Sequence, residues 1–299
     1  MSLPARVPAK AVTRKASARL ACFVTFAVLT CGAFPSSAPA QGDITDSDLD
    51  GASRGRSVRV GSVATGQVTT IPLELYVARV LAGEGEPKSS DIAQQVLAVA
   101  IRTYSLANAS RHHRDGYDLC DSTHCQVLRQ ANAMTRRSSL ATAGQLLTFE
   151  GEPAELFYSA SCGGQSEIAS EVWPGVSHPY LRSAPDDVHE SDVPWDVELS
   201  LREVHRALEQ AGFKGERLSG VEVESYNASG RVSTLRVAGL QPDVVSGQQF
   251  RMALGANRLR STAFVLRNMG ASLRFTGRGY GHGVGLCVIG AGRRAARGE

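Results

Sequence analysis

The sequence predicts an α+β domain, and three observations carry that prediction. Two stretches have helical apolar spacing behind proper start signals, several short stretches alternate apolar with polar around glycine and asparagine turns, and the helices and hairpins do not alternate as a doubly wound parallel sheet requires. The composition agrees: of 299 residues, 42% are hydrophobic and 20% charged, with 30 glycines and 12 prolines. These proportions exclude a disordered, collagen-like or multi-span membrane chain.

The chain opens on a basic, acid-free stretch holding Arg6, Lys10, Arg14, Lys15 and Arg19, followed by the apolar run Leu20 to Phe34 and the small-residue sequence Ala38-Pro39-Ala40. This pattern predicts a secretory signal peptide over residues 1–40. The apolar run is shorter than the ~20 residues of a comfortable span, so no stable transmembrane segment is expected after cleavage. Its removal leaves 27 basic against 29 acidic residues, a net charge of −2 in place of +3. Nucleic acid is thereby excluded as a partner, because a basic footprint must belong to the folded domain. Residues 41–57 are polar and without hydrophobic period, and are expected to form a disordered linker ahead of one domain over 58–299.

Within that domain, an apolar helical segment starts near Glu74 and runs out into Gly83-Glu84-Gly85-Glu86-Pro87. A second helix is expected over Asp91 to Leu106, with Ile92, Val96, Val99, Ala100, Thr103 and Tyr104 on its apolar side. Leu146 to Phe149 and Ala154 to Tyr158 read as a hairpin around Glu150-Gly151. Ser200-Leu201-Arg202-Glu203 is a capping box, whose helix buries Leu201, Val204, Leu208 and Ala211 and stops at Gly212. Val221 to Val223 and Thr234 to Val237 form a hairpin across Asn227 to Gly230.

Four constellations could carry chemistry. Glycine occupies every odd position from Gly277 to Gly285, with Arg278, Tyr280, His282 and Val284 between. As a strand this segment would show bare backbone on one face, open to a ligand or another backbone. Glu84, at the end of a helix among small residues, could act as a general acid if an apolar setting raised its pKa. His112-His113 and Cys120 to Cys125 place thiols and imidazoles in the mixture that zinc takes, with a Cys120–Cys125 disulfide as the alternative. Tyr158 to Glu167, with Ser161, Cys162, Gly163 and Gly164, suits a ligand-contacting loop; paired with His282, Cys162 would make a thiol hydrolase. No G-x-S-x-G nucleophile elbow is present.

The ordered set Ile71-Pro72-Leu73-Glu74-Leu75-Tyr76-Val77, Glu84, Ala100-Ile101-Arg102-Thr103-Tyr104, Ala143-Gly144-Gln145, Phe157-Tyr158-Ser159, Ser161-Cys162-Gly163-Gly164, Val172-Trp173, Pro179 to Ser183 and Gly277 to Gly285 resembles the SpoIID/LytB family. The likeness spans about residues 71–291. It implies an exported lytic transglycosylase acting on peptidoglycan glycan strands, in the periplasm or cell envelope, with Glu84 as catalytic acid. It further implies a cleft of Arg102, Tyr104, Ser161, Gly163, Gly164, Tyr280 and His282, and a structural zinc held by His113, Cys120, His124 and Cys125, with no organic cofactor. The same likeness offers a different class of function, a non-catalytic glycan-binding enhancer of a cell-wall amidase. Two features depart from the family pattern: Leu286-Cys287-Val288-Ile289 stands where relatives carry a glutamine and an aromatic residue, and no tyrosine-rich tail precedes Glu299.

Overall fold

The computed structural model describes residues 43–188 and 192–299; the expected leader at 1–40 lies outside them. The body Asp43–Glu299 is the mixed α+β unit that the patterns predict, and it is built on two hydrophobic cores. Helices dominate the first. There α1 (Asp46–Ser53), α2 (Leu73–Glu84), α3 (Asp91–Ala107) and α4 (Ala133–Ala141) pack with a three-stranded sheet ordered β2 (Val68–Pro72), β1 (Ser57–Gly61), β3 (Leu119–Cys120). Tyr76, Val77, Ile101 and Leu119 are fully buried there, each apolar side chain contributing ~1.5–3 kcal/mol.

Helix α1 corrects the expected disordered linker over 41–57. Thr45 and Asp48 form a reciprocal capping box, and Leu49 is completely buried in the first core. One apolar residue and a cap suffice to order a stretch whose average composition is polar. Helix α3 begins as expected, with the Ser90 hydroxyl accepting from the Ala93 N–H, but its buried face is rotated. Ala93, Leu97, Ala98 and Ile101 face inward, while Ile92 and Val96 are 55% and 44% exposed.

Strands dominate the second core. Helix α6 (Leu201–Gln210), behind the expected Ser200–Glu203 box, and α7 (Gly247–Leu254) cover two three-stranded sheets. One is ordered β10 (Val244–Ser246), β9 (Val232–Ala238), β8 (Gly220–Tyr226); the other is β11 (Phe264–Asn268), β12 (Ser272–Gly277), β7 (Trp195–Ser200). The expected β8–β9 hairpin pairs Val221 with Val237 and Val223 with Leu235. In α6, Val204 and Leu208 are buried, whereas Ala211 has become the exposed C-cap.

The other expected hairpin is shorter than the pattern suggests. β4 (Thr148–Phe149) and β5 (Glu152–Pro153) pair around Glu150 and Gly151, which take the positive φ of 53° and 89° that this turn needs. Of the returning residues, Ala154 still donates its N–H to the Leu147 carbonyl at 2.9 Å, and the pairing goes no further. Instead β6 (Tyr158–Ser159) runs parallel to β13 (Leu286–Cys287), which leads into α8 (Val288–Ala296). Between β12 and β13 the glycine-rich segment is not a strand, since Gly279, Gly281, Gly283 and Gly285 all have positive φ.

Candidate active site around Glu84

Glu84 is the last residue of α2, at the negative end of the helix dipole. A side chain at the preceding Gly83 would come within 2.1 Å of the Val127 carbonyl oxygen, so glycine there lets the 120–127 loop lie against the helix end. From that loop the Val127 N–H donates to Glu84 Oε1 at 2.8 Å. Glu84 is half-buried, and Oε2 makes no hydrogen bond to any described residue. Burial raises its carboxyl above the ordinary 4.5, and the Val127 N–H opposes this only in part. Among the described residues no second carboxylate contributes to the shift. The arrangement is a single, partly dehydrated carboxyl group with one oxygen fixed and the other reachable, which is what a proton donor needs.

Beside it runs a buried polar chain that sequence reasoning did not single out. The Tyr76 hydroxyl donates to Gln126 Oε1 at 2.7 Å, and Gln126 Nε2 donates to the Tyr158 hydroxyl at 2.8 Å. Burial first, and then the nearby Glu84 charge, hold the Tyr158 phenol well above its usual range. Tyr104 packs edge-on to Tyr158 with ring centroids 6.4 Å apart, and burial lifts its phenol to about 12. Both phenols therefore keep their protons. The position of Gln126, directly between Cys125 and Val127, was the available clue, but its partners lie 50 and 32 residues away.

Arg102 does not line a cleft. It is fully buried, its Nε and Nη2 bound to the Glu74 carboxylate at 2.9 and 2.6 Å, with further bonds to the Ser139 carbonyl, the Thr142 hydroxyl and the Gln145 carbonyl. This corrects the expected substrate contact: the arginine ties α2, α3 and α4 together, and a buried guanidinium demands that many acceptors.

The glycine segment approaches another backbone, one of the two options its pattern left open. Gly163 and Gly279 face each other so closely that a side chain on Gly279 would meet the Ser161 carbonyl oxygen at 2.9 Å, and one on Gly163 the Arg278 carbonyl carbon at 3.1 Å. Ser161 and Tyr280 exchange backbone hydrogen bonds of 3.1 and 2.8 Å. Gly164 also has positive φ, beside Val188. Tyr280 is 43% exposed and donates to Asn257 Oδ1. His282 is partly buried among Trp173 and Phe157, with ring centroids 4.8 and 6.2 Å away. Burial, then Arg251 and Arg231, lower it to about 3, and its Nδ1 accepts from the Val284 N–H at 3.0 Å. The imidazole is neutral with its proton on Nε2, facing the Tyr158 backbone, so it braces β6 and does not shuttle protons at neutral pH. Strand β6 thus links the two halves: the Tyr158 side chain faces Glu84, and its backbone faces His282.

The third constellation converges with one change of ligand. The donor atoms of His112, Cys120, His124 and Cys125 all lie within 4.8 Å of one another. His112 Nε2 is 3.2 Å from His124 Nδ1, and Cys120 and Cys125 sulfurs are 3.7 and 3.6 Å from that same nitrogen. Both thiols are free. The expected His113 is exposed and its ring is on the Ser110 carbonyl at 3.0 Å, so His112 replaces it. The reason is the Asp115 carboxylate, which holds His112 Nδ1 at 2.8 Å and aims Nε2 inward.

Cys162 and His282 form no hydrogen bond; Cys162 donates to Asp186 Oδ2 at 3.3 Å, and its thiol is pushed far up by the neighbouring Cys287 and by burial. The thiol-hydrolase pairing therefore lacks its base.

Residues 62–149 match the Stage II sporulation protein (SpoIID) family, and residues 189–285 match a domain of unknown function, DUF8618. A protein of Brachyspira hyodysenteriae described as uncharacterized is 26% identical over 229 residues, 75% of this chain and 61% of its own length. Stage II sporulation protein D of Bacillus amyloliquefaciens is 27% identical over 268 residues, 81% of this chain and 74% of its own. The amidase enhancer of Bacillus subtilis is 25% identical over 258 residues, 69% of this chain and 36% of its own. With the ordered motifs and the α+β body, these matches make the chain similar to the SpoIID/LytB proteins, with the family's own region at residues 62–149.

Proposed function

We propose that the protein is an exported lytic transglycosylase that cuts the MurNAc–GlcNAc backbone of peptidoglycan, on strands whose stem peptides have been removed, with Glu84 as its acid. The observation that carries this reading is the partly buried, elevated carboxyl of Glu84, whose state no other described carboxylate alters. Hydrolysis of glycosides ordinarily uses two carboxyl groups, one to protonate the leaving oxygen and one to activate water or form a covalent intermediate. A reaction in which the substrate supplies its own nucleophile needs only one. Glu84 Oε2 protonates the glycosidic oxygen; the resulting carboxylate takes the proton of the muramic acid C6 hydroxyl as that oxygen closes onto C1. The product is a 1,6-anhydro sugar and no water is consumed. The Val127 N–H on Oε1 stabilises the carboxylate in the second half of the cycle. Tyr104 and Tyr158, held protonated, supply hydroxyl and ring surface at the sugar, and Ser161, Gly163, Gly164 and Tyr280 form the far wall.

We place one structural zinc on His112, Cys120, His124 and Cys125. A tetrahedral ion with metal–ligand bonds of about 2.0–2.3 Å sets its donors about 3.3–3.8 Å apart. The observed sulfur–nitrogen separations of 3.6 and 3.7 Å fall in that range, and the 3.2 Å between the two imidazole nitrogens lies just below it. When bound, the ion supplies a closed four-ligand crosslink. Its ligands flank the loop that continues directly into Gln126 and Val127, so the cluster fixes the two residues that hold Tyr158 and Glu84.

The amidase-enhancer relative favours a second reading, in which the same cleft binds glycan and assists a cell-wall amidase without cutting. The two separate in one experiment: purified glycan strands, with and without stem peptides, are incubated with wild type and Glu84→Gln. Cleavage of denuded strands by wild type alone supports the transglycosylase; intact strands that bind both proteins equally and speed a partner amidase support the enhancer.

A further inference from the structure

A second cluster lies away from Glu84: Cys162, Asp186 and Cys287, whose ligating atoms are all within 4.8 Å of one another. Cys162 and Cys287 are buried, free thiols 125 residues apart in sequence. Their surroundings treat them differently. The Cys287 sulfur sits at the N-cap of α8 and accepts N–H groups of Cys162 and Gly290, each at 3.3 Å. The Cys162 sulfur instead donates its proton to Asp186 Oδ2 at 3.3 Å. Gly290 is required here, because a side chain would come within 2.3 Å of the Asp186 carboxylate.

We infer that Cys162 and Cys287 are a redox pair that oxidises to an intramolecular disulfide, stapling the Ser161–Gly164 turn to the start of α8. One thiol is organised as the attacking thiolate and the other as the protonated resolving thiol, the division of labour that thiol–disulfide exchange needs. The Cys287 thiol is lowered, first by the Cys162 thiol and then by the Cys162 and Gly290 N–H groups, which outweigh burial and the Asp186 carboxylate, and this points the same way.

Charge argues for a thiolate in preference to a metal cation. Buried Arg231 donates through Nη2 to the Cys162 carbonyl at 2.5 Å, and its Nε and Nη1 have no hydrogen-bond partner among the described residues. Its positive charge acts on both sulfurs. Arg294 faces the Asp186 carboxylate at 3.4 Å. Two guanidiniums beside a three-donor cluster oppose a divalent ion and favour an anionic sulfur.

Access is built in. A cavity of about 350 Å³ borders Cys287 and Asp186 and is lined by Leu286, Arg294 and the two α3 residues, Ile92 and Val96, that the helix leaves uncovered. A low-molecular-weight disulfide such as oxidised glutathione enters there. The Cys287 thiolate attacks one of its sulfurs, expelling a glutathione thiolate and forming a mixed disulfide. Cys162 then gives its proton to Asp186 and its sulfur displaces the second glutathione thiolate. Two electrons pass from the protein to the oxidant; one glutathione thiolate takes the proton held by Asp186, and the other takes from water the proton that Cys287 gave up in becoming a thiolate.

The test uses the full chain, oxidised natively with glutathione disulfide, alkylated, and analysed by non-reducing peptide mapping, with Cys287→Ser and Cys162→Ser beside it. Serine preserves the α8 cap, so Cys287→Ser keeps the fold. The expected result is a linked Cys162–Cys287 peptide pair, loss of two hydrogens from the intact mass, and a rise in Tm of about 10 °C that dithiothreitol reverses and both variants lack. Both thiols still alkylated after oxidation, linkage to Cys120 or Cys125 instead, or one metal ion per chain lost in Cys287→Ser would overturn the inference. None of these readouts depends on glycan cleavage, so this inference and the proposed function stand or fall separately.

Discussion

Burial and its place at the C-terminal end of α2 both push the Glu84 carboxyl above its ordinary range, and both follow from where the helix stops. Its folded pKa is raised, so the ionised form costs stability: the contribution is intact below the ordinary 4.5 and is lost as pH rises through the raised value. Glu84→Gln removes that cost and retains an oxygen for the Val127 N–H. It is expected to lower turnover by at least ~10²-fold while leaving Tm at pH 8 equal or higher, read by product assay and thermal denaturation together. For the wild type, kcat/KM should fall as pH rises through the raised Glu84 value, since only the protonated acid works. His282 behaves oppositely. Its folded pKa, about 3, lies below the ordinary 6.5, so the unfolded chain binds the extra proton between those values and stability is lost as pH falls through that window. A variant with Gln at 282 should flatten the acid limb of a stability-versus-pH curve measured by urea titration, without shifting the pH dependence of kcat/KM.

At the scale of the element, the Arg102–Glu74 pair shows how a charged residue in a helix can belong to the core. It joins residues 28 apart, beyond the reach of any local spacing, which is why the residue reads as a ligand contact in the sequence and proves to be a strut. Removing one partner leaves a buried charge unpaired, so Arg102→Met is expected to cost ~3–5 kcal/mol in a denaturation series, whereas a substrate-contact role would spare stability. The proposed zinc loop gives a sharper contrast. His112→Ala and metal chelation should each lower Tm and activity, with zinc restoring the chelated wild type, and His113→Ala should do neither. Sequence located this cluster by residue type, yet choosing between adjacent histidines needed the Asp115 contact, which depends on the local turn. The Ser200 cap was legible because it is a contact within three residues, whereas the equally local Thr45 box of α1 was hidden by the polar composition around it. The rotated face of α3 was less legible, since Ile92 and Val96 satisfy the helical period but border a cavity and not a core.

Across the whole molecule, the α+β class was readable because hairpins and capped helices are local. The pairing of β6 with β13 was not, since it joins Tyr158 to Leu286 across most of the body. That pairing makes the candidate site: it sets the glycine-rich segment behind Ser161 and leaves Tyr158 facing Glu84, while the helical core supplies α2 and the loop from Cys120 to Val127. The glycine alternation announced a close approach, and positive φ at Gly279, Gly281, Gly283 and Gly285 turned an expected strand into a threaded loop packed on backbone. The measurement that tests the central claim most directly is mass spectrometry of the products formed from peptide-free glycan strands in water enriched in oxygen-18. A single carboxyl acting with the sugar's own C6 hydroxyl predicts anhydro-ended fragments that carry no heavy oxygen and disappear with Glu84→Gln. Fragments with a labelled reducing end would mean that water is the nucleophile, and would contradict the account.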